Sequence, residues 1–195
     1  MTMAGRLSRL RRVLGKEEVR SISRRYFIAN GFDGTLTSIG VVVGAYLSGI
    51  DDGLTVIAIG VGAAVGLGTS GVWSVWEIER AEAMAERQRL ERAMLTELED
   101  TRVQREGRAA QIVHAAASAS GPLLAIGLTL FPLALEGVVF SMLEAVLASI
   151  TVGVLILSTF GVYLASISRQ RWYVAAARMG IAGIVVAAIN VVLPG

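Results

Sequence analysis

The sequence predicts an all-α membrane protein with five transmembrane helices and a cytosolic helical segment between the second and the third. Three observations lead to this fold class. Hydrophobic residues make up 54% of the 195-residue chain, which is more than an ordinary soluble domain contains. Uncharged apolar stretches recur along the chain and lack the alternation of membrane strands. All 18 basic residues fall into three segments between these stretches.

The five predicted spans follow from the uncharged stretches, which cover residues 34–50, 53–76, 115–135, 145–168 and 179–195. A helix needs about 20 mostly apolar residues to cross a bilayer, and the second, third and fourth stretches meet that requirement alone. The first stretch is long enough only if its helix begins near Tyr26 and includes Asp33. The fifth needs residues 172–178 at its entrance, with Arg178 reaching the lipid headgroups.

The positions of lysine and arginine set the predicted orientation. The basic residues lie in residues 1–25, in residues 77–112 and around the link between the fourth and fifth spans. The opposite connections contain Asp51, Asp52 and Glu136 and no basic residue. Because cytoplasmic loops carry the excess of lysine and arginine, we expect an integral membrane protein with a cytosolic N-terminus and a C-terminus outside.

The chain therefore divides into a basic cytosolic N-terminal segment, a helical pair, a charged cytosolic helical segment and a helical triplet, at residues 1–25, 26–76, 77–112 and 113–195. The N-terminal segment has no apolar core, so it does not resemble a cleaved signal peptide. It is either an amphipathic helix on the inner leaflet, with Leu7, Leu10 and Leu14 on one face, or a disordered tail. Topology and anionic lipid account for the arginines, so the lipid bilayer is an expected partner and nucleic acid is not.

A polar and small stripe runs along the first predicted span. At about 100° per residue, an arc of about 80° contains Asn30, Asp33, Thr37, Gly40, Gly44 and Ser48. Asp33 is the informative member, because an ionisable group in a membrane helix marks a functional site by default. The alternative is a carboxylate near the helix N-terminus that meets Arg24 or Arg25 at the interface.

Two glycine pairs in the first two spans have the spacing at which helix backbones approach closely. The pairs are Gly40 with Gly44 and Gly62 with Gly66. Each glycine taken singly is more simply explained by helix packing than by a transport path.

A series of carboxylates follows the second span. Glu79, Glu82 and Glu86 are spaced i, i+3 and i+7, which places them on one face of a helix. Such a series is a plausible oxygen-ligand surface for a divalent cation. The alternative is a solvated helix face, because the same segment carries a comparable number of arginines.

Several protein classes are excluded by the residue inventory. The chain has no cysteine and a single histidine, His114, so a cysteine-ligated zinc site, a thiol nucleophile and a multi-histidine metal site within one chain are ruled out. No serine lies in a G-x-S-x-G turn. We therefore expect neither an enzyme nor a prosthetic group, and we expect His114, at the entrance to the third span, to be structural.

The stretch FDGTLTSIGVVVGAY, at residues 32–46, resembles the Asp-Gly-x-x-Thr signature of the vacuolar iron transporter family. The resemblance continues through a glycine-rich second span that ends in GTSGVWSVWEIERAEAMAE and through a third span that contains SGPLLAIGLTLFPLAL. It covers nearly the whole chain after residue 25 and is strengthened by the span count, the orientation and the charged insertion. The chain looks like a short prokaryotic branch, which implies the cytoplasmic membrane as its location.

This resemblance implies a homodimer that carries Fe²⁺ or Mn²⁺ out of the cytosol in exchange for protons. The path would lie at the dimer interface and be lined by the first two spans of each subunit. Asp33 would be the pore carboxylate and metal ligand, and Glu79, Glu82 and Glu86 would collect metal on the cytosolic side. The remaining path residues would be Asn30, Thr37, Gly40, Gly44, Thr69 and Ser70.

The second span departs from the family pattern. Thr69 and Ser70 stand where a methionine is expected, and Val72 stands where a glutamate is expected. Thioether and carboxylate ligands favour a softer divalent ion over Mg²⁺, so ion specificity does not follow from the resemblance. These departures leave a second reading open, in which the chain is a non-transporting membrane scaffold or a metal-sensing protein on the same fold.

Overall fold

The computed structural model describes residues 14–95 and 102–193, with side chains from residue 107 onward in the second range. Within these ranges five long helices account for nearly all of the chain: α1 Glu17–Leu47, α2 Gly53–Met94, α3 Arg102–Leu130, α4 Met142–Ser168 and α5 Trp172–Val192. A short 3₁₀ helix, Phe131–Leu135, follows α3. All five are long and apolar enough to cross a membrane, so the prediction of an all-α protein with five membrane-spanning helices is confirmed. The prediction of an N-terminal amphipathic helix falls mainly in residues 1–13, outside the described part.

The helices alternate in direction along the chain. We call the end of the bundle at which α1, α3 and α5 begin the basic end. Helices α1 and α3 run parallel and make the most extensive contact in the described part, while α2 packs antiparallel against α3. Helices α4 and α5 form a second pair, which closes against α1.

The contact between α1 and α3 depends on glycine at two positions. A β-carbon at Gly34 would lie 2.7 Å from the Cα of Pro122. A β-carbon at Gly121 would collide with the carbonyl oxygen of Phe27. Both obstacles are backbone or ring atoms that cannot rotate away, so the two helices approach at a distance that only glycine permits.

One face of α2 packs against α3 and the 3₁₀ helix. Its buried residues recur every three or four positions: Gly53, Val56, Gly60, Ala64, Gly68, Gly71 and Val75. The glycine pair singled out from the sequence, Gly62 and Gly66, lies on another face, where no described atom comes within 4 Å of an added β-carbon. The close approach within the chain therefore uses a different set of small residues from the predicted pair.

The N-terminus of α2 is fixed by Asp52 in the short connection after α1. Its side chain accepts a hydrogen bond from the backbone N–H of Thr55 at 2.9 Å, and the Thr55 hydroxyl donates to the same oxygen. These two bonds, the hydroxyl bond first, hold the pKa of the Asp52 carboxyl below its usual range. Asp52 is thus an N-cap that satisfies a free backbone donor at the start of the helix.

Helix α2 is longer than a bilayer is thick. It has 42 residues, which corresponds to about 63 Å, or twice the thickness of the hydrocarbon core. Trp73 and Trp76 are exposed near its midpoint, and Trp172 and Tyr173 are exposed at the start of α5. Exposed tryptophan and tyrosine are typical of the membrane–water interface, which indicates a bilayer boundary near these residues at the basic end.

Candidate functional site

Asp33 lies on the surface of the single chain. Its side chain is exposed, and no described residue forms a hydrogen bond or an ion pair with it. The helix begins at Glu17, sixteen positions earlier, so Asp33 is not a carboxylate at a helix N-terminus. Arg24 donates instead to the Ser21 hydroxyl, at 3.5 Å. Within the described residues, Asp33 therefore neither lies at a helix N-terminus nor pairs with Arg24 or Arg25.

The position of Asp33 along α1 places it at membrane depth. Leu47 ends the helix at the opposite end of the bundle, fourteen residues after Asp33 and about 21 Å away along the axis. If the apolar core of the bilayer ends near Leu47 and is about 30 Å thick, Asp33 lies about 9 Å inside the boundary at the basic end. A carboxylate at this depth is costly unless water, a cation or protein surrounds it.

The other stripe residues of α1 have varied surroundings. Asn30 donates from its side-chain amide to the hydroxyl of Ser118 and, at 3.4 Å, to the Ser118 carbonyl. Thr37 is half-buried. The predicted small positions also differ, since Asn190 of α5 would lie 3.6 Å from a β-carbon at Gly40, while Gly44 has no described atom within 4 Å. Only part of the stripe is therefore covered within the chain.

Thr69 and Ser70 of α2 are both exposed. They lie in the same open region of the helix as Gly66 and Trp73, of which Trp73 is 71% exposed. No hydrogen bond joins either hydroxyl to Asp33 in the described part of the chain. The chain therefore presents Asp33, Thr69 and Ser70 on its surface without a hydrogen bond that joins them.

The three glutamates after the second span separate into two groups. Glu82 and Glu86 are exposed and border a shallow groove along α2 that Arg89 and Arg92 also line. Glu79 is turned toward the bundle, and its side chain is 15% exposed. The three carboxylates share one face of the continuous helix α2, but only Glu79 lies at a level where Tyr26 of α1 and His114 of α3 cover that face.

Glu79 meets residues from two other helices near the bilayer boundary. We call Tyr26, Glu79 and His114 the boundary cluster. The Tyr26 hydroxyl donates to Oε1 of Glu79 at 3.3 Å, and Nδ1 of His114 lies 3.0 Å from the same oxygen. The His114 side chain is 3% exposed, and its ring centroid lies 6.0 Å from that of Tyr26. The cluster joins α1, α2 and α3 at one point.

His114 has unused bonding capacity. Its Nδ1 atom is within ion-pair distance of Glu79 but is not aligned for a hydrogen bond, and its Nε2 atom has no hydrogen-bond partner among the described residues. Buried polar atoms without a partner are rare in folded proteins and call for an explanation. A purely structural histidine, as expected from the sequence, would use these atoms more fully.

A second polar contact lies one turn deeper in the membrane. Ser118, which is fully buried, receives the amide of Asn30 and also lies against Gly71, where an added β-carbon would be 2.7 Å from its hydroxyl oxygen. Sequence reasoning missed both polar contacts of α3. The available signal was a matched pair of i, i+4 spacings, Tyr26 with Asn30 and His114 with Ser118, on helices that run parallel.

The chain is similar to the uncharacterized protein MJ0645 of Methanocaldococcus jannaschii. The two are 26% identical over 168 residues, which is 85% of this chain and 84% of that protein. No known protein-family profile matches the chain, and no solved structure matches it. The similarity to MJ0645 extends over most of both proteins, and the name of that protein assigns it no activity.

Proposed function

We propose that the protein is a transporter that exports a divalent transition metal, Fe²⁺ or Mn²⁺, from the cytosol in exchange for protons. In this proposal two copies form a homodimer in a prokaryotic cytoplasmic membrane. The path for the ion lies between the copies and is lined by α1 and α2 of each.

The observation that carries the proposal is the exposure of Asp33 at membrane depth. A carboxylate that faced lipid would be strongly unfavourable, and no side chain in the described part neutralises it. A second copy related by two-fold symmetry would bring a second Asp33 to the same axis. Two carboxylates on one axis form a site for a divalent cation, which removes the cost of burying them.

The open small residues support the same arrangement. Gly44 on α1 and both Gly62 and Gly66 on α2 have no described atom within 4 Å of an added β-carbon. In lipid such a surface gains nothing, whereas between helices it permits close contact. Thr37, Thr69 and Ser70 would then supply hydroxyl oxygens to an ion that passes between the copies.

The exposed glutamates of α2 have a place in this proposal. Glu82 and Glu86 lie beyond the boundary marked by the tryptophans, where they would raise the local concentration of cations before entry. Arg89 and Arg92 border the same groove and would offset much of that attraction. We therefore expect Asp33 to dominate transport and the two glutamates to contribute less.

The experiment is metal uptake into proteoliposomes under an imposed pH gradient, with Fe²⁺ or Mn²⁺ on the side that corresponds to the cytosol. We expect flux in the wild type and a decrease of about tenfold or more in Asp33→Ala, because even supporting residues of metal sites affect affinity by 10–100-fold. Asp51→Asn is the matched control, since Asp51 is an exposed carboxylate in the loop at the opposite end.

The outcomes separate the two readings of the sequence. Flux that requires both Asp33 and the pH gradient supports the exchanger. The substitution of hydroxyls and valine for the expected methionine and glutamate favours the alternative, a scaffold or sensor. A folded dimer with no flux for either metal would contradict the transporter and leave that alternative.

A further inference from the structure

We propose that Glu79 and His114, assisted by Tyr26, form a binding site for one transition-metal ion at the basic end of the bundle. The site lies between helices of a single chain, apart from the path proposed between two copies. It rests on the proposed function only for the choice of metal.

The first argument is the distance between the donor atoms. Nδ1 of His114 and Oε1 of Glu79 are 3.0 Å apart. Adjacent ligand atoms of an octahedral ion with bonds of about 2.1 Å are separated by about 3.0 Å. The two atoms therefore already lie at the spacing of neighbouring ligands.

The second argument is the state of the histidine. His114 is 3% exposed, yet neither ring nitrogen makes an aligned hydrogen bond in the described part of the chain. A metal bond would satisfy Nδ1, which lies 3.0 Å from Oε1 of Glu79 without an aligned hydrogen bond. It would also favour the tautomer with a proton on Nε2.

The third argument is the chemistry of the donor set. An imidazole nitrogen beside a carboxylate suits Mn²⁺, Fe²⁺ and Zn²⁺, whereas Mg²⁺ and Ca²⁺ prefer oxygen ligands alone. Glu82 is exposed on the next turn of α2. Its carboxylate is close enough to act electrostatically on Tyr26, and it adds negative charge beside the site. The phenol of Tyr26 holds Oε1 in place through its hydrogen bond.

The small number of protein ligands fits reversible binding. Two protein ligands leave most positions of an octahedral ion to water, so the ion can be released. The cluster lies one turn beyond Trp76 on α2, near the bilayer boundary at the basic end.

The single histidine makes a direct test possible. The full-length protein, purified in detergent with a tag that contains no histidine, is mixed with less than one equivalent of Mn²⁺, and pulsed electron paramagnetic resonance detects imidazole nitrogen bound to the ion. Because His114 is the only histidine in the sequence, an imidazole coupling identifies it. We expect this coupling in the wild type, and we expect it to persist in an excess of Mg²⁺.

Variants separate this site from the proposed path. We expect the coupling to remain in Asp33→Asn and in Asp51→Asn, the control at an exposed carboxylate at the opposite end of the bundle. It should disappear in His114→Gln, and Mn²⁺ binding should weaken about tenfold or more in Glu79→Gln. Metal flux without imidazole coupling would contradict this site but not the proposed transporter. Imidazole coupling without metal flux would contradict the proposed transporter but not this site. The wild-type measurement alone decides the matter if His114→Gln does not fold.

Discussion

Two faces of α2 are made of similar residues and have opposite surroundings. One face carries Gly60, Gly68 and Gly71, which are buried against α3. The other carries Gly62 and Gly66, which are exposed and have no neighbour within 4 Å of an added β-carbon. The comparison teaches that glycine spacing in a membrane helix indicates close packing but does not tell which partner provides it.

The difference has an energetic meaning. On the covered face, an added β-carbon at Gly60 would collide with the side chain of Leu130, so the absence of a side chain is used within the chain. On the open face the same absence costs helix stability, about 1 kcal/mol per glycine relative to alanine, and gains nothing from the chain itself. In the proposed homodimer, Gly62 and Gly66 would instead contact the second copy.

The largest expected effect is at a covered position. Gly121→Ala places a β-carbon against the carbonyl oxygen of Phe27, and backbone on both sides prevents relief. We expect the free energy of unfolding to fall by about 3 kcal/mol, the upper part of the range for overpacking. Equilibrium unfolding in mixed detergent micelles, followed by circular dichroism, measures this change.

The matched control is Gly127→Ala in the same helix, because no described atom lies within 4 Å of a β-carbon there. It should leave stability unchanged or raise it by up to about 1 kcal/mol. Equal losses in the two variants would show that the covered contact has no special role.

A smaller effect is expected at the open face. Gly62→Leu should leave the fold of the single chain intact, because a β-carbon added there has no described atom within 4 Å. It should raise the dissociation constant of the dimer about tenfold or more, equivalent to about 1.4 kcal/mol. Energy transfer between labelled copies in liposomes gives this constant.

The control is Gly127→Leu, at a position that is also open but lies outside the proposed interface. This variant should dissociate like the wild type. An equal increase of its dissociation constant would argue against α2 as the interface.

The smallest expected effect is at Asp52, the N-cap that fixes where α2 begins. The pKa of Asp52 is lowered in the folded protein. The ionised Asp52 carboxylate therefore contributes fully to stability above the pKa that the carboxyl has in the unfolded chain, about 3.9. This contribution is lost as the pH falls through the lower pKa of the carboxyl in the folded protein. Asn is nearly as good a cap as Asp, so Asp52→Asn should change the unfolding temperature little at neutral pH.

The wild type should then lose more thermal stability than Asp52→Asn between neutral pH and about pH 3. Asp51→Asn keeps the cap and should follow the wild type. Identical acid profiles for the wild type and Asp52→Asn would show that the cap does not contribute to the acid dependence.

Much of the fold could be predicted from the sequence because apolar length and basic residues are local signals. The five spans follow from the positions and lengths of the uncharged stretches. The start of α1 was placed near Tyr26, yet the helix begins at Glu17, since an apolar window locates only the part of a helix that lies in lipid. A charged first turn lies outside such a window.

The candidate site was less accessible to sequence reasoning. The periodicity of α1 groups Asp33 with other polar and small residues on one face, but periodicity describes one helix at a time. The inward turn of Glu79 depends on His114 of α3 and Tyr26 of α1, which are distant in sequence. Only the register between helices decides whether a carboxylate in a regular series faces water or a buried imidazole.

The length of α2 amplifies any tilt of the helix. Between Gly71 and Met94 it contains neither glycine nor proline, so this part has no sequence feature that typically allows a helix to bend. The arm beyond Trp76 is about 27 Å long, and a tilt of about 10° within the membrane swings its tip through about 5 Å. A small rearrangement between membrane helices is thus magnified at the tip of α2. There, a soluble partner or a fluorescent label would register it.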